Sequence, residues 1–466
     1  MNRAKGYTAF SEYAKGKTFS LIGLGVSNLP LVSFLYEAGA ASVFVRDLKK
    51  KEGDNEVIEA KKAGATVILG EKYLEDLAED VLIRSPGIRP DIEAFRRAKK
   101  SGSRITCETE LFLQFVPCRS FAVTGSDGKT TTTTLISKIL AKSGVRVHLG
   151  GNIGKAMLPQ LKDTSPDDFA VMELSSFQLM ECAFSPDVAV ITNLSENHLD
   201  WHVDMDEYLV AKQNILLHQS ENSIAVLNAD NVHTAKCSAN GRARYFSCAD
   251  STPPQNYVNG IYCLNGWIFL RKNSEDIPFI KTANILLPGK HNVENYMAAI
   301  AATQDFVSAD DVLEIAKSFG GVEHRIELVR ELDGVKYYNS SIDSSPTRST
   351  AALKAFNQKV IMIAGGYDKN LDYTSFGDIV CEKVSTLILC GATSEKIETA
   401  VKSSKFYSAD TIKIISCSDF DETVKVAKKE AKSGDIVILS PASASFDLFR
   451  NFDERGKYFK KLVTEL

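Results

Sequence analysis

Val123-Thr124-Gly125-Ser126-Asp127-Gly128-Lys129-Thr130-Thr131 joins an apolar β-type run, Ser120 to Thr124, to a helical run that begins at Lys129. A strand that passes through a glycine turn into a helix aims several backbone N–H groups at one small volume, and the helix N-terminus adds positive potential there. In this stretch Gly125, Ser126, Asp127, Gly128 and Thr131 belong to the cradle, Lys129 reaches the terminal phosphates, and Thr130 offers a hydroxyl to Mg²⁺. The stretch reads as a phosphate cradle for ATP or GTP. Val123 stands where the first glycine of GxxxxGK[ST] would be. The alternative is a glycine turn that only caps an amphipathic helix.

Around this loop, the central segment opens with a helical run, Glu108 to Phe115, and continues through strand-like runs at Ala170 to Leu174, Val188 to Thr192 and Ile224 to Leu227. After Gly241 come short antiparallel-type pieces, Ile261 to Leu264 and Trp267 to Leu270, and then helical runs at His291 to Phe306 and Asp310 to Phe319. On the N-terminal side, β-rich runs (Phe19 to Gly23, Ser42 to Arg46, Thr66 to Leu69, Asp80 to Arg84) alternate with helices such as Asn28 to Ala38. Beyond Gly320-Gly321 the alternation resumes, with strands expected at Val335 to Tyr338, Val360 to Ala364, Thr386 to Cys390, Ile412 to Ser416 and Ile436 to Leu439. The pattern predicts an α/β protein of three domains. These are a Rossmann-like domain over 1–107, a central P-loop domain with a mainly parallel sheet over 108–321, and a second Rossmann-like domain over 322–466.

The 466 residues exceed what one hydrophobic core organises, and 44% hydrophobic with 24% charged residues leaves no extended disordered tract. Lys and Arg total 55 against 59 Asp and Glu, a net charge of −4, which argues against a broad nucleic-acid or anionic-membrane surface. Nine cysteines occur without a CxxC pair, and the N-terminus is polar, so a reducing cytoplasm is expected. Apolar runs fall well short of the roughly 20 residues that span a bilayer.

Further candidates follow from position. Gly23-Leu24-Gly25-Val26-Ser27-Asn28, with Asp47 ending the next strand, has the form of a dinucleotide turn, except that Asn28 replaces the third glycine. A nucleotide diphosphate would use the same turn. Ser85-Pro86-Gly87-Ile88 is a second loop expected at that sheet edge; it either closes over the ligand or is simply a turn. Glu173, at a strand's carboxyl end beside the phosphate loop, suits a nucleotide-bound metal. Asn193 to His202 carries two imidazoles and two acids; His198 is expected as a Mg²⁺ or phosphate-side ligand and His202 as structural or exposed. Lys212 lies on a helix after Tyr208 and reads equally as a surface lysine.

Thr-Gly-Ser-Asp-Gly-Lys-Thr-Thr (124–131), Gly-Gly-Asn-Ile-Gly (150–154), Glu-Leu-Ser-Ser-Phe-Gln-Leu (173–179), Asn197-His198-Leu199-Asp200 and Gly-Lys-His-Asn-Val-Glu-Asn (289–295) together resemble the Mur ligase family. Glu323-His324-Arg325 and Ser440 to Asp447 extend the resemblance over almost the whole chain, and the absence of Asp-Asn-Pro-Arg points to D-glutamate as the amino acid. The resemblance implies an ATP-dependent acid–amino-acid ligase of peptidoglycan precursor synthesis, joining D-glutamate to UDP-N-acetylmuramoyl-L-alanine through an acyl phosphate. It implies UDP-side contacts from Ser27, Asp47 and Gly87, with Asn152 on the muramoyl part. Lys129, Thr130, Asn292, Asn295 and Arg325 would lie at the nucleotide, with Thr130, Glu173, His198 and a carbamylated Lys212 on the metal side. Ser344, Lys369, Ser445, Phe446 and Phe452 would surround D-glutamate. Lys129, His198 and Lys212 are the residues expected to carry catalysis, in a monomer. In two places the sequence departs from the family. Asn339-Ser340-Ser341 lacks an acid expected near the ribose, with Asp343 out of register, and Ile342 stands where some members have lysine.

The rival readings are a related or folylpolyglutamate-type ligase using another amino acid, an NAD-dependent dehydrogenase, and a non-enzymatic P-loop switch.

Overall fold

A computed structural model describes residues 5–25, 27–196, 201–250 and 259–466. Among the described residues the strands form three sheets, and the chain divides into two compact units. Met1–Asn284 with Lys290–Ala316 make one; Ile285–Gly289 with Lys317–Leu466 make the other.

The first unit holds two sheets. Strands β1 (Thr18–Ile22), β2 (Ser42–Asp47), β3 (Thr66–Leu69), β4 (Val81–Arg84) and β5 (Arg104–Thr106) lie parallel in the order β3-β2-β1-β4-β5. Strand order reverses between β1 and β4, where a crevice opens at the carboxyl ends of an open parallel sheet. The loops that begin at Gly23 and at Ser85 leave those two strands. The helix expected over Asn28 to Ala38 begins only at Leu31. The Asn28 amide is spent on the Gly23 carbonyl (2.8 Å), closing a turn, and Pro30 occupies the helix N-cap.

The second sheet contains β6 (Arg119–Thr124), β7 (Val147–Gly151), β8 (Phe169–Glu173), β9 (Val188–Ile191), β10 (Ile224–Asn228), β11 (Arg242–Ser247), β12 (Gly260–Leu264), β13 (Trp267–Lys272) and β14 (Glu275–Lys281). Their order is β14-β13-β12-β11-β10-β9-β6-β8-β7, parallel except where β12, β13 and β14 pair antiparallel. Strands β8, β9 and β10 are buried along their whole length, as parallel strands covered on both faces must be. One helix, Lys129–Ala141, packs along another, Lys290–Thr303. Phe34, Phe112 and Leu158 share a continuous buried cluster with Ala122, Ala170 and Ile191, so the two sheets of this unit have a common core. Each such fully buried Leu, Ile or Phe contributes roughly 1.5–3 kcal/mol.

In the second unit β15 (Glu327–Leu332), β16 (Val335–Asn339), β17 (Val360–Ala364), β18 (Val384–Leu389), β19 (Lys413–Ser416) and β20 (Ile436–Leu439) run in the order β15-β16-β20-β17-β18-β19. Only β15 is antiparallel. Because β16, β20 and β17 are neighbours, the loops after Asn339, Leu439 and Ala364 emerge side by side at one sheet edge.

Candidate active site

The phosphate loop leaves β6 between β9 and β8, and its shape is held by the loop that follows β9. Ser126 N–H donates to the Asn193 carbonyl (2.9 Å), Asp127 N–H to Asn193 Oδ1 (2.9 Å), and Thr192 Oγ1 to the Asp127 carbonyl (2.6 Å). The Ser126 hydroxyl meets Tyr208 Oη at 2.8 Å and donates to the Ser195 carbonyl at 2.9 Å. Gly125 has no room for a side chain, since a Cβ would stand 1.9 Å from Thr192 Oγ1. Lys129 opens the helix and folds back over the turn, its ammonium donating to the carbonyls of Gly125 (3.0 Å) and Ser126 (2.8 Å). Asn295 accepts from Thr132 Oγ1 (3.2 Å) and donates to Asn292 Oδ1 (3.2 Å), so both asparagines border the loop through the neighbouring helix. Thr130 and Thr131 sit in its first turn.

Glu173 ends β8 and is 2% exposed. Its Oε1 accepts from the Asn152 amide (2.7 Å), while Oε2 is buried with no hydrogen-bond partner among the described residues. An orphaned carboxylate oxygen beside a phosphate cradle suits a hard cation, which takes one or two carboxylates and completes its shell with hydroxyl, phosphate and water oxygens. No three His, Cys, Asp or Glu among the described residues cluster tightly enough to hold a metal by themselves. Lys212 is also 2% exposed, its ammonium 3.3 Å from Thr124 Oγ1. Burial, then the nearby charge of Lys129, holds its pKa well below that of an ordinary lysine, against opposing pulls from Glu173 and Asp127. The expectation for His198 lies outside the described residues.

At the first sheet, Asp47 turns inward. Its Oδ2 accepts from Leu24 N–H (2.7 Å) and its Oδ1 from Lys49 (2.8 Å) and Lys50 (2.9 Å) N–H. Burial pushes its pKa up, and these backbone bonds more than reverse the effect. A Cβ on Gly23 would lie 2.8 Å from Ser85 Cβ, so the loops carrying Ser27 and Gly87 are packed against each other. The muramoyl candidate Asn152 is anchored on Glu173 through both its amide group and its own N–H.

In the second unit, Tyr367 N–H donates to the Ala444 carbonyl (2.9 Å), which brings the Lys369 loop to the Ser445 loop. The Lys369 ammonium lies 5.2 Å from the Phe446 ring centre, and Phe446 is 56% exposed. Ser445 itself is buried, Phe452 is exposed, and the Ser344 hydroxyl turns back onto the Ile342 carbonyl (3.2 Å). Arg325 is exposed.

Two descriptions of known protein domains match in order: "Mur ligase middle domain" over residues 123–303, and "Mur ligase, glutamate ligase domain" over 324–443. The chain belongs to the Mur ligase family. Among its relatives, the Mur ligase of Ruminiclostridium cellulolyticum named UDP-N-acetylmuramoylalanine–D-glutamate ligase is 47% identical over 98% of both chains. Proteins of the same name from Clostridium kluyveri (99% of this chain, all of that one) and Acetivibrio thermocellus (98% of both) are 44% identical. Solved Mur-type folds align over nearly full length. UDP-N-acetylmuramate-alanine ligase from Thermotoga maritima has a TM-score of 0.56 at 16% identity, covering 96% of this chain and 99% of that one. A pseudomurein peptide ligase type C from Methanothermus fervidus has 0.52 at 18%, covering 97% and 100%.

In this Mur ligase Ser340, where an acid was expected, is buried and its hydroxyl accepts from Ile326 N–H (3.2 Å), and Asp343 turns into the core instead of standing in for that acid. Asp343 is buried, accepts from Ser440 Oγ at 2.8 Å, and is pushed up to about 6 by burial. The sequence reading also passed over Arg455. This buried guanidinium donates to the carbonyls of Ser443 (3.1 Å), Ala444 (3.0 Å) and Ser341 (2.9 Å), holding the Ser445 loop. An arginine in the first turn of an amphipathic helix reads as a solvated face, and no local pattern distinguishes this one.

Proposed function

We propose that this Mur ligase uses ATP to join the carboxyl group of UDP-N-acetylmuramoyl-L-alanine to the amine of D-glutamate in peptidoglycan precursor synthesis. The observation that carries the reading is similarity of 44–47% along essentially the entire chain to ligases bearing that name, in a chain whose phosphate loop is fully formed. Segments 1–107, 108–321 and 322–466 act as the UDP-substrate, ATP and amino-acid domains.

Carboxylate attack on the γ-phosphate brings two anions together, and Lys129 with the loop N–H groups neutralises the charge that develops. Thr130 and Glu173 would hold Mg²⁺, with His198 and carbamylated Lys212 as further ligands. When bound, the ion supplies Lewis-acid neutralisation of the phosphate oxygens. The acyl phosphate so formed carries the activated carbonyl. Lys369 pairs with a carboxylate of D-glutamate, Ser344, Ser445, Phe446 and Phe452 surround the amino acid, and Asn292, Asn295 and Arg325 border the nucleotide. Ser27, Asp47 and Gly87 shape the UDP side, with Asn152 toward the muramoyl group.

On this reading the enzyme works in the cytoplasm as a monomer. No helix among the described residues is long and apolar enough to cross a membrane. The test is incubation with ATP, Mg²⁺, UDP-N-acetylmuramoyl-L-alanine and either D-glutamate or a panel of other amino acids, with the UDP-linked product followed by mass. Addition of one glutamyl residue from the D-isomer alone supports the reading; preference for another amino acid contradicts it.

A further inference from the structure

We propose that Arg89 is a positioning residue that locks the Ser85–Arg89 loop of the UDP side onto the two helices flanking the nucleotide side, so that one binding site is assembled against the other. The proposal rests on the functional reading above for the identity of the two sites. All five guanidinium N–H groups of Arg89 have partners. Nη2 and Nη1 grip Glu207 as a fork (2.7 and 3.0 Å), Nε and Nη2 grip Asp91 (2.9 Å each), and Nη1 also donates to the Trp201 carbonyl (3.0 Å). The Trp201 ring lies under the guanidinium at 5.1 Å, and its indole N–H donates to the Gly87 carbonyl at 3.2 Å. At the other end of the loop Arg84 donates to the Ile88 carbonyl (3.1 Å) and to those of Phe177 (2.8 Å) and Met180 (3.2 Å).

The partners lie on the elements that carry the nucleotide side. Phe177 belongs to helix Ser176–Leu179, which follows Glu173 almost directly, and its ring is 4.4 Å from that of Trp201. Glu207 belongs to helix Met205–Leu217, which carries Lys212. Glu207 also accepts from Val203 N–H (3.0 Å) and meets His202 Nδ1 (3.1 Å), while His202 Nε2 meets Ser176 Oγ (2.9 Å). A single carboxylate therefore ties Arg89 to both helices. Bidentate arginine–carboxylate pairs fix orientation as well as distance, and a loop already fixed spares the ligand the cost of ordering it.

The test uses the full-length protein with variants Arg89→Ala, Arg89→Lys and Trp201→Phe. It measures the KM values for all three substrates, UDP affinity by calorimetry, and thermal stability. Arg89→Ala is expected to raise the KM for the UDP substrate and the Kd for UDP at least tenfold, with the KM for D-glutamate unchanged. Arg89→Lys, which keeps the charge but loses the fork, is expected to recover only part of this. Trp201→Phe, which removes one N–H and keeps the aromatic packing, is expected to raise the same two constants several-fold. A lowered Tm with unchanged KM and Kd in the folded fraction of these variants overturns the proposal and leaves Arg89 a stability contact. A parent that binds UDP yet releases no phosphate with D-glutamate overturns the functional reading alone, whereas a parent that binds no UDP overturns both.

Discussion

Gly128 and Asn295 approach so closely that a Cβ on the glycine would lie 2.3 Å from the asparagine Oδ1. Gly128 is the left-handed N-cap (φ 77°) of the helix that Lys129 opens, so the same residue bends the phosphate loop and admits the neighbouring helix. Gly128→Ala adds about 1–2 kcal/mol of backbone strain and also displaces a buried amide that Thr132 donates to. The KM for ATP is expected to rise at least tenfold, with Tm lowered by a few degrees; kinetics across an ATP series together with a melting curve check both.

Lys212 is buried, and burial, then the charge of Lys129, holds its pKa well below that of an ordinary lysine, the direction that favours the neutral amine that addition to CO₂ requires. In the proposed carbamylation the new N–C bond would form as one C=O π bond breaks and the nitrogen proton passes to solvent, giving the carbamate anion that the family resemblance implies. Lys212→Ala should be nearly inactive and partly rescued by acetate, and Lys212→Arg should stay inactive. Phosphate release with and without acetate is the readout, and full activity of Lys212→Arg would count against the carbamate.

The phosphate loop and the central strands of the three sheets were legible in the sequence because those strands are short apolar runs ending in glycine or polar turn residues. Local chemistry of that kind survives folding unchanged. Strands β5, β7, β11, β14 and β15 were not expected, since runs such as Arg242–Ser247, Glu275–Lys281 and Glu327–Leu332 carry charged residues on partly exposed strands. The start of the helix at Leu31 was misread because Asn28 forms a side-chain bond back to Gly23, which competes with helix formation. Arg89 and Glu207, 118 residues apart, meet only in the folded chain, and each taken alone is an ordinary surface charge. Arg455 escaped for the same reason: its partners are carbonyls of a distant loop.

Asp343 makes the second unit's stability depend on pH. Its carboxyl titrates near 6 when folded, against 3.8 in the ordinary state, mainly through burial, although the Ser440 bond and the charges of Arg325 and Arg348 pull it down. A folded pKa above the unfolded one means the folded state holds the proton more tightly. The stabilisation is therefore complete below about pH 4 and is lost as pH rises through about 6, amounting to about 3 kcal/mol. Asp343→Asn should flatten that part of the stability curve and raise Tm at pH 7; a parent whose Tm does not fall between pH 4 and 6 contradicts this.

Lys369 stands over Phe446 where the loop after Ala364 meets the loop after Leu439. Lys369→Ala is expected to raise the KM for D-glutamate about tenfold or more while leaving that for ATP within about twofold, because a lost charge-assisted pair weakens only the ligand it touches. Varying each substrate in turn separates the two constants, and equal increases would place this lysine elsewhere.

Phosphate release from ATP in the presence of UDP-N-acetylmuramoyl-L-alanine, with and without D-glutamate, tests the central claim most directly when run on the parent and on Lys129→Ala. The parent should release phosphate continuously only when D-glutamate is present. Lys129→Ala, folded by its melting curve, should fall by about a thousandfold, since removing the cation from a transferring phosphoryl group forfeits several kcal/mol. Release from the parent that is indifferent to D-glutamate, or near-normal turnover by Lys129→Ala, would contradict the account.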